Sequence, residues 1–138
     1  MTQPVLVELA VGDSIGTRTV PLERVDMIKY AGASGDFNTI HWNDRVANSV
    51  GLPGVIAHGM LTMGVAINLV AEWTGDPGAI VEYSTRFAKL VPVPDPGTAD
   101  LVVSGVIGEI NGDLVRIDLT VALGAEEVLA KTRAVVRL

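Results

Sequence analysis

The sequence predicts an α+β fold in which a curved antiparallel sheet wraps around one long central helix. Three observations predict it: an extended start, one long apolar segment at residues 59–73, and alternating apolar residues through the C-terminal half. The chain has 138 residues, of which 49% are apolar and 19% are charged, and this describes a folded chain of about one domain's length. We therefore expect a single domain over residues 1–138.

The composition excludes several classes of function. Ten Lys and Arg against 16 Asp and Glu give a net charge of −6, which argues against a nucleic-acid partner or an anionic membrane surface. The chain has no cysteine, so disulfides, thiolate nucleophiles and cysteine-bound metals are excluded. The first ten residues do not resemble a signal peptide, and the apolar segment 59–70 is shorter than the roughly 18–20 residues that cross a bilayer. We expect a cytosolic protein without a membrane span.

The first two elements are predicted to be a strand and a helix. Alternating apolar residues predict extended chain over 5–20. Pro21 suits the first turn of the helix that follows, and Gly32 or Gly35 is expected to end it. The apolar stripe of this helix comprises Val25, Met27, Ile28 and Ala31.

A loop and two more helices are predicted before the C-terminal sheet. Residues 35–42 are rich in turn formers, and Asn43 or Asp44 is placed to cap a short helix that ends at Val50. Residues 59–73 are apolar on almost every side, which is typical of a helix enclosed over most of its surface. This long apolar helix is expected to cover the dry face of the sheet.

The C-terminal half predicts strands joined by tight turns. Alternation is clearest in Leu114–Leu123, and hairpins are predicted at Asn111-Gly112 and at Gly124. Three consecutive antiparallel connections would make a curved sheet with one dry face, which wraps around the apolar helix in the arrangement called the hot-dog fold. The predicted strands are 80–90, 99–109, 114–123 and 128–136.

One polar cluster carries the chemistry that the sequence offers. The common signatures GxGxxG, GxxxxGK[ST], HExxH and GxSxG are absent. The two histidines, His41 and His58, lie in separate segments without the spacing of metal ligands, so we expect neither a metal nor another cofactor. What remains is the cluster at 34–41, Ser-Gly-Asp-Phe-Asn-Thr-Ile-His, just upstream of the apolar helix.

Asp36 and His41 form a potential acid–base pair within this cluster. Taking a proton from one carbon while protonating a hydroxyl that leaves the next requires two groups, and an Asp/His pair around one water has both near neutral pH. The backbone amides at the start of the helix at Gly59 are suited to negative charge on a carbonyl oxygen.

Each candidate also has a purely structural explanation. Asp36 and Asn38 are common turn residues, His41 could bond a loop carbonyl, and His58 precedes a helix where a structural role is the more frequent one. By the same reasoning we expect Trp42, Trp73, Met60 and Met63 in the core and Asp44 and Arg45 on a solvated helix face.

Two segments resemble the hydratase 2 motif of MaoC-like (R)-specific enoyl-thioester hydratases and dehydratases. The first covers 30–41, Tyr-Ala-Gly-Ala-Ser-Gly-Asp-Phe-Asn-Thr-Ile-His, and the second covers 57–63, Ala-His-Gly-Met-Leu-Thr-Met. The likeness extends from about Val20 to the C-terminus. Further segments resemble the catalytic B subunit of the actinobacterial (3R)-hydroxyacyl-ACP dehydratase, namely 75–79, 82–83, 86–87 and 91–94.

The resemblance implies reversible hydration of trans-2-enoyl thioesters to (3R)-3-hydroxyacyl thioesters, with CoA or an acyl carrier protein (ACP) as the thioester carrier. The catalytic residues that it implies are Asp36, His41 and Asn38. The residues that it implies for the thioester oxygen and the substrate are Gly59, His58 and Met60. Thr39 stands where the family usually has proline, so we expect a less rigid loop.

The resemblance also implies partners. The family's site lies at a subunit interface, which implies a homodimer or a heterodimer with a related hot-dog subunit. We expect the acyl tunnel to depend on residues 67–73 and on that second subunit. CoA and ACP are anionic, as is this chain, so a local basic patch is required. Its candidates are Arg86, Lys89, Lys131 and Arg133, and the alternative is that these are scattered solvated residues.

Two other functions stay open within the same fold. A non-catalytic hot-dog subunit would bind acyl chains or stabilise a partner in a heteromeric dehydratase. Its Asp/His pair would be expected to carry substitutions. Asp36 and His41 are both present, which favours the enzyme. A thioesterase would leave the Gly-Asp-x-Asn-x-x-His loop unexplained.

Overall fold

Residues 3–138 are described by the computed structural model; Met1 and Thr2, from the segment assessed above for a signal peptide, lie outside it. Short 3₁₀ helices lie at Leu6–Glu8, Thr39–His41 and Pro77–Ala79. The main elements in chain order are β1 (Ser14–Leu22), α1 (Arg24–Ser34), α2 (Asp44–Ser49), α3 (Gly59–Thr74), β2 (Ile80–Phe87), β3 (Ala99–Asn111), β4 (Leu114–Leu123) and β5 (Glu126–Arg137).

The five strands form one antiparallel sheet in the order β1-β3-β4-β5-β2, and α3 contacts all of them. This is the predicted hot-dog fold. The two predicted hairpins are confirmed, because Gly112 and Gly124 take positive φ values of 63° and 61° in the turns after β3 and β4. Alternate side chains of β4 are buried as predicted, namely Val115, Ile117, Leu119 and Val121.

The prediction that each C-terminal strand pairs with the next is wrong at β2. This strand pairs with β5, and β3 pairs with β1 instead. The chain between β2 and β3 leaves the sheet and bonds the segment before α3: Ala57 donates to the Val91 carbonyl, and Val93 donates to the Val55 carbonyl. Alternation within a strand does not reveal such a detour.

The first predicted strand is wrong in its position. Residues 5–9 are not in a strand, and β1 runs instead through Pro21, which pairs with Asp100. Proline is tolerated there because β1 is an edge strand, where one side of the backbone needs no partner. Helix α1 therefore begins only at Arg24.

Helix α1 buries less than the predicted stripe. Met27 and Ala31 are buried, whereas Val25 and Ile28 are exposed. The helix ends at Ser34, and Gly35 caps it in the left-handed conformation with a φ of 76°, as predicted. Asn43 caps α2 as predicted by accepting a bond from the Val46 amide.

Helix α3 has the predicted length but is enclosed on one face only. Its buried side chains point toward the sheet and are Thr62, Ala66, Leu69, Val70 and Thr74. Exposed residues recur at every fourth position, at Met60, Gly64, Asn68 and Glu72. The expectation of a helix enclosed on most sides is thus wrong for the chain taken alone, because the sheet covers only one side of it. Among the described residues, no helix is long and apolar enough to span a membrane.

Candidate active site

The polar loop after α1 and the start of α3 meet at one place. The Ile56 amide donates to the Ile40 carbonyl at 3.3 Å, and His41 Nδ1 lies 2.8 Å from the Ile56 carbonyl oxygen. These bonds hold His41 against the segment that leads into His58 and Gly59. The structure therefore brings the predicted loop and the predicted helix start together.

Asp36 and His41 face each other across a short gap. Asp36 Oδ2 lies 3.9 Å from His41 Nε2, and their side chains are 51% and 10% exposed. A carbonyl oxygen can only accept a hydrogen bond, so the bond to Ile56 places the proton of a neutral His41 on Nδ1 and leaves Nε2 as a free base. The gap is too long for a direct hydrogen bond, and a bound water would suit it.

Asp36 combines the two interpretations that the sequence left open. Its Oδ1 accepts a bond from the Asn38 amide at 3.1 Å, which is a turn contact. Its other oxygen stays available to His41. Asn38 in turn accepts from the Ile40 amide at 3.3 Å and caps the 3₁₀ helix that carries His41. The turn contacts thus orient the pair.

His58 packs against His41 and hydrogen-bonds the backbone of Asp36. Its Nε2 donates to the Asp36 carbonyl oxygen at 3.1 Å. Its ring stacks on the His41 ring with the centroids 3.8 Å apart, and it forms an edge-to-face pair with Tyr30 with the centroids 4.8 Å apart. Within residues 3–138, His58 Nδ1 is buried without a hydrogen-bond partner, so a second proton there would be unsatisfied. Burial lowers the pKa of His58 below its ordinary value, and the neighbouring His41 lowers it further.

A pocket of about 440 Å³ opens beside Asp36 and His58, and His41 is not among the residues that line it. Gly59 lies at its wall as the first residue of α3, where the helix's leading amides have no carbonyl within the helix to bond. A Cβ at Gly59 would lie 3.0 Å from the Phe87 ring, so a larger residue would push this ring aside. The lining residues are Tyr30, Ser34, Asp36, His58, Gly59, Met60 and Phe87.

Two residues expected in the core lie at the surface instead. Met60 is 58% exposed because it points into the pocket from the open side of α3. Trp42 is 46% exposed, and its indole N–H donates to the Phe37 carbonyl, which closes the loop around Asp36. Trp73 packs against the core with partial burial, and Met63 is also partly buried.

Asp44 and Arg45 lie on the solvated face of α2 as expected, and Asp44 also makes specific contacts from there. Its carboxylate pairs with both terminal nitrogens of Arg24 at 3.0 and 3.1 Å and accepts from the Val55 amide at 2.9 Å. The Val55 amide, with Arg24, holds the pKa of Asp44 below its ordinary value. Arg24 also donates to the Val93 carbonyl. These bonds tie α1 and α2 to the segment that leads into α3.

Tyr30 and Phe87 line the pocket but were given no role from the sequence. Both lie inside segments that carried the family resemblance, so that likeness was the available signal. Their positions depend on the packing of α1 and β2 around the start of α3, which local patterns do not reveal.

The three residues Asp36, His41 and His58 could be considered as metal ligands. One ligand atom of each lies within 4.8 Å of the others. Two ligands of one zinc ion at bonds of about 2.1 Å are at most about 4.2 Å apart. The two imidazoles also stack with their planes 24° apart, so their in-plane lone pairs do not converge. These residues do not fit a metal as placed, and metal independence stays a prediction.

Comparisons with known proteins identify the family. The family described as MaoC like domain matches residues 7–126. An (R)-specific enoyl-CoA hydratase of Rhodospirillum rubrum is 35% identical over 98 residues, which cover 70% of this chain and 68% of the relative. The chain belongs to the MaoC-like hydratase and dehydratase family.

Two further relatives are longer proteins. The 3-hydroxyacyl-thioester dehydratase X of Mycobacterium tuberculosis is 47% identical over 77 residues, which cover 55% of this chain and 25% of that protein. A solved structure of a MaoC-like dehydratase is 33% identical with a TM-score of 0.95, and the match covers 99% of this chain and 42% of that one. This chain thus spans less than two thirds of the length of both.

Proposed function

We propose that this chain catalyses the reversible hydration of trans-2-enoyl thioesters to (3R)-3-hydroxyacyl thioesters. The observation that carries the proposal is the placement of Asp36 Oδ2 and His41 Nε2 3.9 Å apart, in a loop held against the start of α3. The named relatives are hydratases and dehydratases, and the (R)-specificity comes from one of their names.

In this mechanism the pair holds one water between Asp36 Oδ2 and His41 Nε2. The water's oxygen adds to C3 while one of its protons passes through the pair to C2, so the pair returns to its starting protonation state. Negative charge that develops on the thioester oxygen is stabilised by the Gly59 amide at the positive end of α3. Dehydration runs through the same steps in reverse.

A basic cluster on the outer face of the sheet is proposed to bind the anionic carrier. Arg86, Lys131 and Arg133 line one surface pocket of about 260 Å³ together with Ser84 and Thr85. Three of the four candidate cations are therefore neighbours, whereas Lys89 does not line this pocket. Arg86 directly precedes Phe87, which lines the reaction pocket, so the cluster is connected to that pocket through the backbone of β2.

A second hot-dog subunit is proposed to complete the site. The exposed apolar side chains of Met60 and Phe87 line the pocket, Phe37 in the Asp36 loop is exposed as well, and one face of α3 is open. The edge strand β2 also exposes Val81. Apolar surface of this kind is typical of an interface. Whether the partner is identical, the single-domain organisation and the cytosolic location stay predictions.

The decisive test is the loss of conjugated enoyl-thioester absorbance when the purified chain meets trans-2-enoyl-CoA. Asp36→Asn and His41→Ala should each reduce the rate by at least about 100-fold, in line with general acid–base catalysis. Asp95→Asn, a matched change at an exposed carboxylate, should leave the rate unchanged. A folded wild-type chain that forms a dimer and is still inactive on short and long substrates would contradict the proposal and favour the non-catalytic subunit.

A further inference from the structure

One buried imidazole contacts both members of the proposed acid–base pair. Nε2 of His58 donates to the backbone carbonyl oxygen of Asp36 at 3.1 Å, and the ring stacks on His41 with the two planes 24° apart. The edge of the imidazole thus meets Asp36, while its face meets His41. His58 directly precedes α3, so these two contacts attach the pair to the start of that helix.

Neither ring nitrogen of His58 is free for the substrate. The residue is only 2% exposed, although it lines the reaction pocket. Its Nε2 is bonded to Asp36, and its Nδ1 is buried with no partner among the described residues. The family resemblance groups His58 with the substrate-binding residues, whereas the polar contact that it makes in the structure is with the protein itself.

The unpartnered nitrogen indicates what an imidazole contributes at this position. Burial lowers the pKa of His58 below its ordinary value, so the ring is neutral near pH 7.5 and carries one proton. This proton lies on Nε2, because the carbonyl oxygen of Asp36 can only accept a hydrogen bond. A buried nitrogen without a partner costs stability, and a phenyl ring would avoid that cost. What the imidazole adds over a phenyl ring is the N–H that holds Asp36.

We propose that His58 is a positioning residue, whose Nε2–H holds the backbone of Asp36 while its ring face holds the imidazole of His41. The inference rests on the proposed function, in which one water lies between Asp36 Oδ2 and His41 Nε2. These two atoms are 3.9 Å apart, and the water must be within hydrogen-bond distance of both. The Asn38 amide holds the Asp36 carboxylate within its own turn, and His58 attaches that turn to the rest of the site.

Two substitutions separate the two contacts of His58. His58→Phe keeps a ring to stack on His41 but cannot donate to Asp36, whereas His58→Gln keeps an N–H donor and loses the stack. With trans-2-butenoyl-CoA, each variant should lower kcat by about tenfold, because a displacement of about 1 Å can cost up to about a hundredfold. KM should change less than about twofold, since no interaction with the substrate is removed. A raised KM with unchanged kcat would overturn the inference.

A double-mutant comparison tests whether His58 acts through the pair. In an Asp36→Asn background the carboxylate to be positioned is already gone, so His58→Phe should lower kcat by less than about twofold further. A further loss as large as the one in the wild-type background would show that His58 acts independently of Asp36, and the inference would fail.

Val70→Ala is the matched control for a loss of stability alone, because Val70 is fully buried on α3 and does not line the reaction pocket. It should lower the melting temperature and leave kcat and KM unchanged. His58→Phe should show the opposite pattern, with a melting temperature near that of the wild type and a reduced kcat. A rate that falls in His58→Phe only as the folded fraction falls would make the role structural and refute the inference.

Nitrogen-15 NMR of the imidazoles separates this inference from the proposed function, since it needs no turnover. His41 and His58 are the two histidines of the chain, so comparison with His58→Gln assigns both rings. At pH 7.5 the wild type should carry the His58 proton on Nε2 and the His41 proton on Nδ1, and His58→Gln should populate both tautomers of His41.

If the chain hydrates nothing but these proton positions and their change are found, the proposed function fails and the positioning contacts stand. A wild-type His58 that is protonated on Nδ1 could not donate to Asp36, and a His41 ring that is unaffected in His58→Gln would not be held by the stack. Either result would contradict the inference, whether or not the chain is active.

Discussion

At the residue scale, the candidate site depends on which nitrogen of each imidazole carries the proton. His41 donates from Nδ1 and His58 donates from Nε2, each to a backbone carbonyl. Sequence spacing was enough to place Asp36 near His41, because they share one bent loop. It could not give the tautomers, since the carbonyl that fixes His41 belongs to Ile56, in another segment.

The stacked position of His58 predicts how stability depends on pH. Its pKa in the folded chain lies below the ordinary value of 6.5, so the unfolded chain takes up the proton first as pH falls. Stability should therefore fall as pH drops through 6.5, and the fall should level off once the folded chain is itself protonated. Thermal melts from pH 7.5 to 5 should show this.

His58→Asn should melt lower at pH 7.5 but with a flatter dependence on pH, because the titrating ring is gone. An undiminished slope in this variant would assign the effect to other groups.

At the element scale, α3 is held to the sheet at both of its sides. Tyr83 on β2 donates its hydroxyl to the Met63 carbonyl at 2.6 Å, and Arg18 on β1 forms an ion pair with Glu72. The ends of α3 could be predicted from Gly59 and Gly75 and from its apolar composition. Its open face could not, because the pairing of β2 with β5 is non-local and determines what the sheet covers.

Tyr83→Phe tests this attachment of α3 to the edge strand. Loss of the hydrogen bond should destabilise the chain by about 1 kcal/mol. Burial raises the pKa of Tyr83 to about 12, so wild-type stability should fall as pH rises from 10 toward 12, where the unfolded chain ionises first. Chemical denaturation across this range should show a smaller fall in Tyr83→Phe. Equal falls in the two proteins would contradict the buried position of this hydroxyl.

At the scale of the whole molecule, charge is distributed unevenly. The chain carries −6 overall, yet Arg86, Lys131 and Arg133 meet at one pocket on the sheet. Asp118 lies 3.9 Å from Arg133 and offsets part of that charge. The sequence provided these cations as candidates, but their grouping follows from the pairing of β2 with β5, and that pairing was not predicted.

Neutralising the cluster should weaken substrate binding without slowing the chemistry. The double variant Arg86→Gln with Lys131→Gln should raise KM for enoyl-CoA by about three- to tenfold, as expected for two surface charges. KM should also rise less steeply with salt concentration than in the wild type, because less electrostatic attraction is left for salt to screen. Arg45→Gln, an exposed change outside this pocket, should behave as the wild type. A fall in kcat with unchanged KM would contradict a role in binding the carrier.

The contact between Phe87 and Gly59 joins the outer strand of the sheet to the amide that is proposed to stabilise the thioester oxygen. Strand β2 lies at the edge that a second subunit would meet, and the three atoms nearest to a Cβ at Gly59 would all belong to the Phe87 ring. Assembly and catalysis would then depend on the same strand. A second subunit that fixes the position of β2 would also fix the position of the Gly59 amide. Dilution that separates the subunits would lower the turnover of each site as well as the number of assembled molecules.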